Sequence, residues 1–354
     1  MREPGGDVRI AAVGTALPPH YYDQETLIEA FCEHWGGVPA IGRLAGLHRN
    51  VMVGGRYLAL PKERYTALRT WGEANSLWVE AALDVGERAV RGALEAAGLG
   101  PGDVSALFFA TITGVATPSI DALLMNRLGL PPHVKRVPIF GLGCVAGAAG
   151  IARAADYVRA FPDEVAVLLS VELCSLTLQR EDLSLANLIA SGLFGDGAAA
   201  VVVTGARRPA RGPRVVATRS VFYPETEGLM GWKISERGFG IILSSAVPEL
   251  VRLRLGPDVD EFLRAHDLAR GDIDLWIGHP GGPKVLEAVR ESLGIDNGAL
   301  DLAWKSLREV GNLSSASVLF VLGDTLALAP APGSRGLLFA MGPGFCSELV
   351  LLEW

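Results

Sequence analysis

The sequence is poor in cysteine, with four in 354 residues: Cys32, Cys144, Cys174 and Cys346. No two of them stand at a metal-ligand spacing, and thiols this scattered do not make a secreted disulfide framework. Positive charge is not in excess either, since the formal net charge is −7. That excludes a globally basic nucleic-acid binder and leaves any anionic ligand to a local basic patch. No uncharged run reaches the roughly 20 residues that a membrane span needs. The longest lies within VPIFGLGCVAGAAGIARAADYV (137–158) and is interrupted by Pro138 and several glycines. The N-terminal stretch MREPGGDVRIAAVGTALP lacks the shape of a signal peptide. The expectation is a cytoplasmic protein with reduced thiols, no nucleic-acid partner and no membrane span.

What the chain does have is a large apolar fraction, 49%, and 43 glycines. It is long enough for two domains or for one fold made of two halves. Strand-length apolar runs, VSALFFA, EVAVLLSVE, GAAAVVVTG, IDLWIG and RGLLFAMG, alternate with segments of helical spacing. The helical segments lie near 78–98, 119–129, 145–160, 283–294 and 314–328. This alternation predicts an α/β fold with helices packed on sheets. The aperiodic segment GARRPARGPR (205–214) reads as the connection between halves at 1–204 and 215–354.

The two halves repeat each other. DVSALFFATITG begins at Asp103 and DIDLWIGHPGG at Asp272, an offset of 169. Gly143-Cys144 and Gly311-Asn312 each begin a small-residue helix, 168 apart, and EVAVLLSVE and SRGLLFAMG stand 170 apart. A duplicated fold would bring equivalent loops together around a pseudo-two-fold axis, with Cys144 and Asn312 facing each other across it.

Cys144 falls at a strand-to-helix turn, where unsatisfied N–H groups and the helix dipole lower a thiol pKa. The alternative is an inert buried cysteine. His279, in WIGHPGGPKVLEAV, follows a strand and precedes a helix, the end of an α/β sheet at which ligands bind. A structural histidine is the competing reading. Asn312, in REVGNLSSASVLF, is either a helix cap or a neutral donor toward developing negative charge. A cysteine, a histidine and an asparagine suit cysteine-dependent hydrolysis or carbon–carbon bond formation on a cysteine thioester. No local cysteine-protease signature is present, and the duplication favours the second class.

The segments GLGCVAGAAG, GLFGDGAAAVVV, GHPGGPKVLEAV, VGNLSSASVLF and MGPGFCSELVLLEW resemble the signature segments of type III polyketide synthases, chalcone-synthase-like enzymes of the thiolase superfamily. GVATPSIDALLMNRLGLPPHVKRV extends the resemblance over nearly the whole chain. It implies a duplicated, thiolase-like five-layer αβαβα fold and a homodimer. It also implies acyl-CoA and malonyl-CoA as substrates, with no metal or redox cofactor. Cys144 matches the nucleophile, and His279 and Asn312 match the pair that promotes decarboxylation of malonyl-CoA and stabilises the enolate. Cys144 and His279 would form a thiolate–imidazolium pair. Phe194, in LFGDG, matches the gatekeeper between CoA tunnel and reaction cavity. Ile241 replaces a second gate phenylalanine, and Gly342-Pro343-Gly344 keeps most of a cyclisation loop. Thr117 stands where plant members carry a methionine that reaches into the neighbouring subunit. Cys174 replaces a cavity-lining threonine, and Trp232 a small cavity residue. A basic tunnel mouth for CoA is expected at Arg49 and Arg56.

Among members of the family, Ile241 and the 7% aromatic content point toward a bacterial enzyme that extends medium- or long-chain fatty acyl starters into alkylresorcinols or alkylpyrones. Trp232 argues the other way, because it fills space in the cavity. The alternatives are a malonyl-CoA-primed synthase of naphthalene or phloroglucinol type, a single-condensation enzyme resembling ketoacyl-ACP synthase III, and a silent partner subunit.

Overall fold

The computed structural model describes residues 7–34 and 42–354. The first half supplies β1 (Arg9–Ala16), the short strands β2 (His20–Asp23) and β3 (Gly55–Leu58), β4 (Ala106–Thr111), β5 (Lys135–Phe140), β6 (Val165–Leu173) and β7 (Asp196–Thr204). Its helices are α1 (Gln24–His34), α2 (Leu44–Asn50), α3 (Lys62–Tyr65), α4 (Trp71–Ala97), α5 (Ile120–Leu128), α6 (Ala146–Ala160) and α7 (Leu185–Leu193). The second half supplies β8 (Arg214–Phe222), the hairpin β9 (Met230–Ser235) and β10 (Gly238–Leu243), β11 (Leu275–Gly278), β12 (Arg335–Gly342) and β13 (Cys346–Glu353). With them go α8 (Val247–Arg264), α9 (Pro283–Leu293), α10 (Asp301–Val310) and α11 (Ser317–Ala327).

Nine strands form one sheet in the order β11-β12-β13-β8-β1-β7-β6-β4-β5. It is two equivalent runs joined at a single residue pair, Arg9 with Arg214. In the first run β1 pairs antiparallel with β7, β7 antiparallel with β6, and β6 parallel with β4. In the second, β8, β13, β12 and β11 repeat those orientations in the same order. The duplication expected from the sequence is therefore present in the topology. The first half adds β5 at its free edge.

Layering follows from burial. Every residue of VAVLLSVEL in β6 is buried, as in a strand covered on both faces. On one side lie α4 and α5, the former opened by a Thr70–Glu73 capping box and closed by left-handed Gly98. Between the two runs lie α6 and α11, which touch each other and strands of both runs. Beyond the second run, α8 and α9 pack together. Helix α6 fits the centre because its first seven residues, AGAAGIA, are alanine and glycine but for Ile151. A Cβ on Gly147 would come within 2.3 Å of the Ser315 carbonyl oxygen, in the turn that opens α11. Among the described residues no helix is long and apolar enough to cross a membrane.

Candidate active site

Strand β5 ends at Phe140, and the chain enters one 3-10 turn, Gly143–Val145, that runs into α6. Gly143 has φ of +56°, and a Cβ there would meet Pro343 Cδ at 2.8 Å. A Cβ on Gly342 would meet the Val145 nitrogen at 2.7 Å. The Gly342-Pro343-Gly344 loop is thus packed directly on the turn that carries Cys144. The thiol is 7% exposed and donates to Ser314 Oγ at 3.6 Å. Its place before α6 is the one expected from the sequence, but its ionisation is not. Burial outweighs the helix terminus and pushes the thiol up to about 12, with Ser314 acting the other way and Glu172 adding to the rise.

His279 follows β11, with its backbone N–H donating to the Phe339 carbonyl at 3.0 Å. The ring is buried, and neither nitrogen has a hydrogen-bond partner. Burial lowers its pKa to about 4. Burial thus acts against the charged form of each group, in the opposite direction to the thiolate–imidazolium pair that the resemblance implies. Asn312 is 1% exposed. Its Oδ1 accepts from Ser314 N–H at 2.8 Å and the Ser317 hydroxyl at 3.4 Å, while Nδ2 donates to the Gly281 carbonyl at 3.3 Å. Its backbone bridges to Phe194: Asn312 N–H donates to Leu193 O at 2.9 Å and Gly195 N–H to Asn312 O at 3.0 Å.

Cys144, His279, Asn312 and Phe194 line one cavity of about 480 Å³. Its walls are mostly apolar, with Met341 and Phe345 flanking the Gly-Pro-Gly loop. A second cavity of about 130 Å³ holds Cys174, Trp232 and Ile241, and Phe194 lines both. Three further expected residues lie away from the catalytic cavity of their own subunit. Arg49 is exposed and tied to Glu25 by two bonds of 2.8 and 2.7 Å, and it lines neither cavity. Arg56 is 3% exposed, because its side chain is packed against Gly195 and Gly311 after the ends of α7 and α10, and it lines the second cavity. Thr117 is exposed on the loop after β4, which turns outward, and also lines neither cavity of its own subunit. Besides His279, the basic residue lining the catalytic cavity is Lys284, exposed in the first turn of α9. It stands in the same GHPGGPKVLEAV segment as His279 and went unnoticed there. Ser314 also went unnoticed; a serine two residues after Asn312 gives no signal of its own.

Residues 2–207 match the N-terminal domain of chalcone and stilbene synthases, and residues 214–353 match their C-terminal domain. The chain belongs to that family. It is 54% identical over 98% of its length to a 1,3,6,8-tetrahydroxynaphthalene synthase of Streptomyces peucetius subsp. caesius, covering 93% of that relative. It is 38% identical to a putative chalcone synthase of Bacillus subtilis, with 98% of each covered. It superimposes with a TM-score of 0.93 on the crystal structure of 1,3,6,8-tetrahydroxynaphthalene synthase from Streptomyces coelicolor A3(2), described as a bacterial type III polyketide synthase. That match has 31% identity and covers 98% of this chain and 99% of the other. The chain is a type III polyketide synthase with the thiolase-like fold, an acyltransferase that forms carbon–carbon bonds on CoA thioesters and needs no cofactor.

Proposed function

We propose that this enzyme primes with malonyl-CoA and extends with malonyl-CoA to a polyhydroxylated aromatic product of the naphthalene type. The observation that carries the reading is the 54% identity, over nearly the full chain, to a relative named for tetrahydroxynaphthalene synthesis. A relative named phloroglucinol synthase, 31% identical, points toward the same malonyl-derived class. These relatives favour the reading over the alkylresorcinol or alkylpyrone expected from the sequence. Trp232, a large side chain in the lining of the second cavity, agrees with them.

In the proposed mechanism Cys144, His279 and Asn312 carry the chemistry. The Cys144 sulfur attacks the thioester carbonyl while a ring nitrogen of His279 takes its proton, and CoA leaves with that proton. Neutral partners suit this step, since the charge forms only as the bond does. A second malonyl-CoA then loses CO₂; the electron pair of the broken C–C bond moves onto the thioester oxygen as an enolate. The free Nδ2 hydrogen of Asn312 and an N–H of His279 donate to that oxygen. Such preorganised donors are each worth about 3–4 kcal/mol in a barrier. The enolate carbon attacks the Cys144 thioester, and the C–S bond breaks to release the Cys144 thiolate; that thiolate then attacks the lengthened CoA ester, the chain returns to the cysteine, and CoA leaves as its thiolate. Lys284, at the mouth, attracts the carboxylate and phosphates of the incoming CoA ester.

The halves divide within 205–214 in this reading. Exposed Val137 and Phe140 on edge strand β5 make that edge the face for a homodimer. Incubation with malonyl-CoA alone, with products read by mass, tests the function. A malonyl-only aromatic product, lost in Cys144→Ala, supports it. Product only when a fatty acyl-CoA is added returns the assignment to the alkyl class.

A further inference from the structure

Helix α7 ends without a left-handed residue to close it. Phe194, just past its end, has φ of −85° and ψ of 138°, and Gly195 is not left-handed either. The carbonyls of the last turn must then find partners elsewhere. Ala190 O accepts from the Phe194 N–H at 3.0 Å, as in a continuing helix. Gly192 O accepts from Gln24 Nε2 at 2.9 Å, and Leu193 O from the Asn312 N–H at 2.9 Å. Ser191 O accepts from Arg56 Nη1 at 2.6 Å, and the same nitrogen reaches past the helix end to Phe194 O at 2.8 Å. Burial brings the Arg56 pKa down to about 10, so the side chain stays a cation at neutral pH. The carbonyl end of a helix is where a cation is favoured.

The stem of Arg56 holds a second chain. A Cβ on Gly311 would lie 3.1 Å from Arg56 Cγ and 3.2 Å from Cδ, and one on Gly195 would lie 3.6 Å from Arg56 Cβ. The two glycines flank a crossing of two chains, at which Asn312 N–H donates to Leu193 O and Gly195 N–H to Asn312 O. Arg56 therefore grips one chain of the crossing with its guanidinium and packs its stem on the other. Cys144 and His279 are carried by the turn before α6 and by the end of β11, neither of which Arg56 holds.

We propose that Arg56 is a positioning residue for Asn312: it locks the crossing, and the crossing fixes the direction in which the Asn312 amide presents its free hydrogen to the catalytic cavity. The inference rests on the proposed role of Asn312 as donor to the enolate, and extends that role to a residue of the other half of the chain. One planar nitrogen serving two carbonyls sets an orientation that the rotating ammonium of a lysine sets less well.

The test compares wild type, Arg56→Gln, Arg56→Lys, Asn312→Ala and the double variant of Arg56→Gln with Asn312→Ala. Two rates are read by mass: release of acetyl-CoA from malonyl-CoA, and alkylation of Cys144 by iodoacetamide as a function of pH. Arg56→Gln is expected to lower decarboxylation at least about tenfold while the rate and pH profile of alkylation stay at wild type. Arg56→Lys is expected to fall between. The double variant is expected to decarboxylate like Asn312→Ala alone, because no amide is left to position. A parallel fall of both rates in Arg56→Gln overturns the proposal, since the arginine would then only support the fold. Wild-type decarboxylation in Arg56→Gln overturns it too, as do losses that multiply in the double variant. If Arg56→Gln does not fold, Arg56→Lys carries the comparison, and a wild-type ratio of the two rates there overturns the proposal. Failure of the Asn312 role looks different: Asn312→Ala alone then decarboxylates at the wild-type rate, and the proposal falls with the donor it would position.

Discussion

Asn312 has two tasks on one amide, and the structure separates them by atom. Oδ1 is held by the Ser314 N–H and the Ser317 hydroxyl, which fixes the turn into α11. Nδ2 has one long bond, to Gly281, and a hydrogen left for the cavity. Asn312→Asp keeps the acceptor that the turn needs and removes the donor that an enolate needs. It is expected to melt within a few degrees of wild type while malonyl-CoA decarboxylation falls about 10²–10³-fold. Decarboxylation at the wild-type rate would leave Asn312 as a cap only. This division was half legible in the sequence, where the residue reads equally as a cap or as a donor. The placement of Cys144 was fully legible, because a glycine, a cysteine and a run of small residues after an apolar strand can only enter a helix packed close to something. Its ionisation was not, because a helix terminus is visible in one dimension and burial is not. Arg56 shows the same limit: in GGRYLALP nothing marks it as interior, and only its packing against Gly195 and Gly311, both distant in sequence, buries it.

At the scale of elements, the catalytic geometry depends on how closely α6 approaches the turn before α11. The contact at Gly147, 2.3 Å from a would-be Cβ to the Ser315 carbonyl oxygen, is with backbone and cannot yield by a rotamer change. Gly147→Ala is expected to push the two central helices apart and carry Cys144 away from Ser314 and Asn312. Overpacking of this kind costs about 1–3 kcal/mol. The expected result is a lower melting temperature together with at least a tenfold loss of kcat; a variant as active as wild type would mean that the two helices slide without disturbing the site. The five strands and five helices read from the sequence all form, since long apolar or strongly periodic segments declare themselves. Helix α8 did not declare itself. Its centre reads LGPDVD, and a Gly-Pro pair signals a break. The helix continues through Pro257 because Val251, Leu255, Val259 and Phe262 are buried along one side, and the Gly256 N–H donates at 2.9 Å to Ser292 Oγ on α9. Tertiary packing overrides the local signal.

For the whole molecule, buried titratable groups of opposite sign set the response to pH. His48 and His279 are lowered from 6.5 to about 4, both mainly by burial. Their contribution to stability is present above pH 6.5 and is lost as pH falls through about 4, because the unfolded chain takes up the protons first. Burial raises Glu172 from 4.5 to about 7 and Asp196 from 3.8 to about 6. Their contribution is present below the unfolded values and is lost as pH rises through the folded ones. Between about pH 4.5 and 6.5 the two slopes oppose each other, so wild-type stability is expected to be nearly flat there. Glu172→Gln removes one of the two raised carboxyls and leaves Asp196. Glu172 accepts from Ile112 N–H at 3.1 Å, Thr113 Oγ1 at 2.9 Å and the Ser315 hydroxyl, so glutamine is destabilising at low pH, where the carboxyl is already neutral and well bonded. As pH rises from 4.5 to 7, wild type bears the growing cost of ionising a buried carboxyl and the variant does not. The melting temperature of Glu172→Gln relative to wild type is therefore expected to climb through that window and level off above about pH 7. The shift corresponds to a few kcal/mol, at roughly 1.4 kcal/mol per pKa unit. Melting curves of both proteins at half-unit steps from pH 4.5 to 8.5 measure it. A difference that stays constant with pH would mean that Glu172 remains in one protonation state throughout, with its hydrogen-bond donors outweighing its burial.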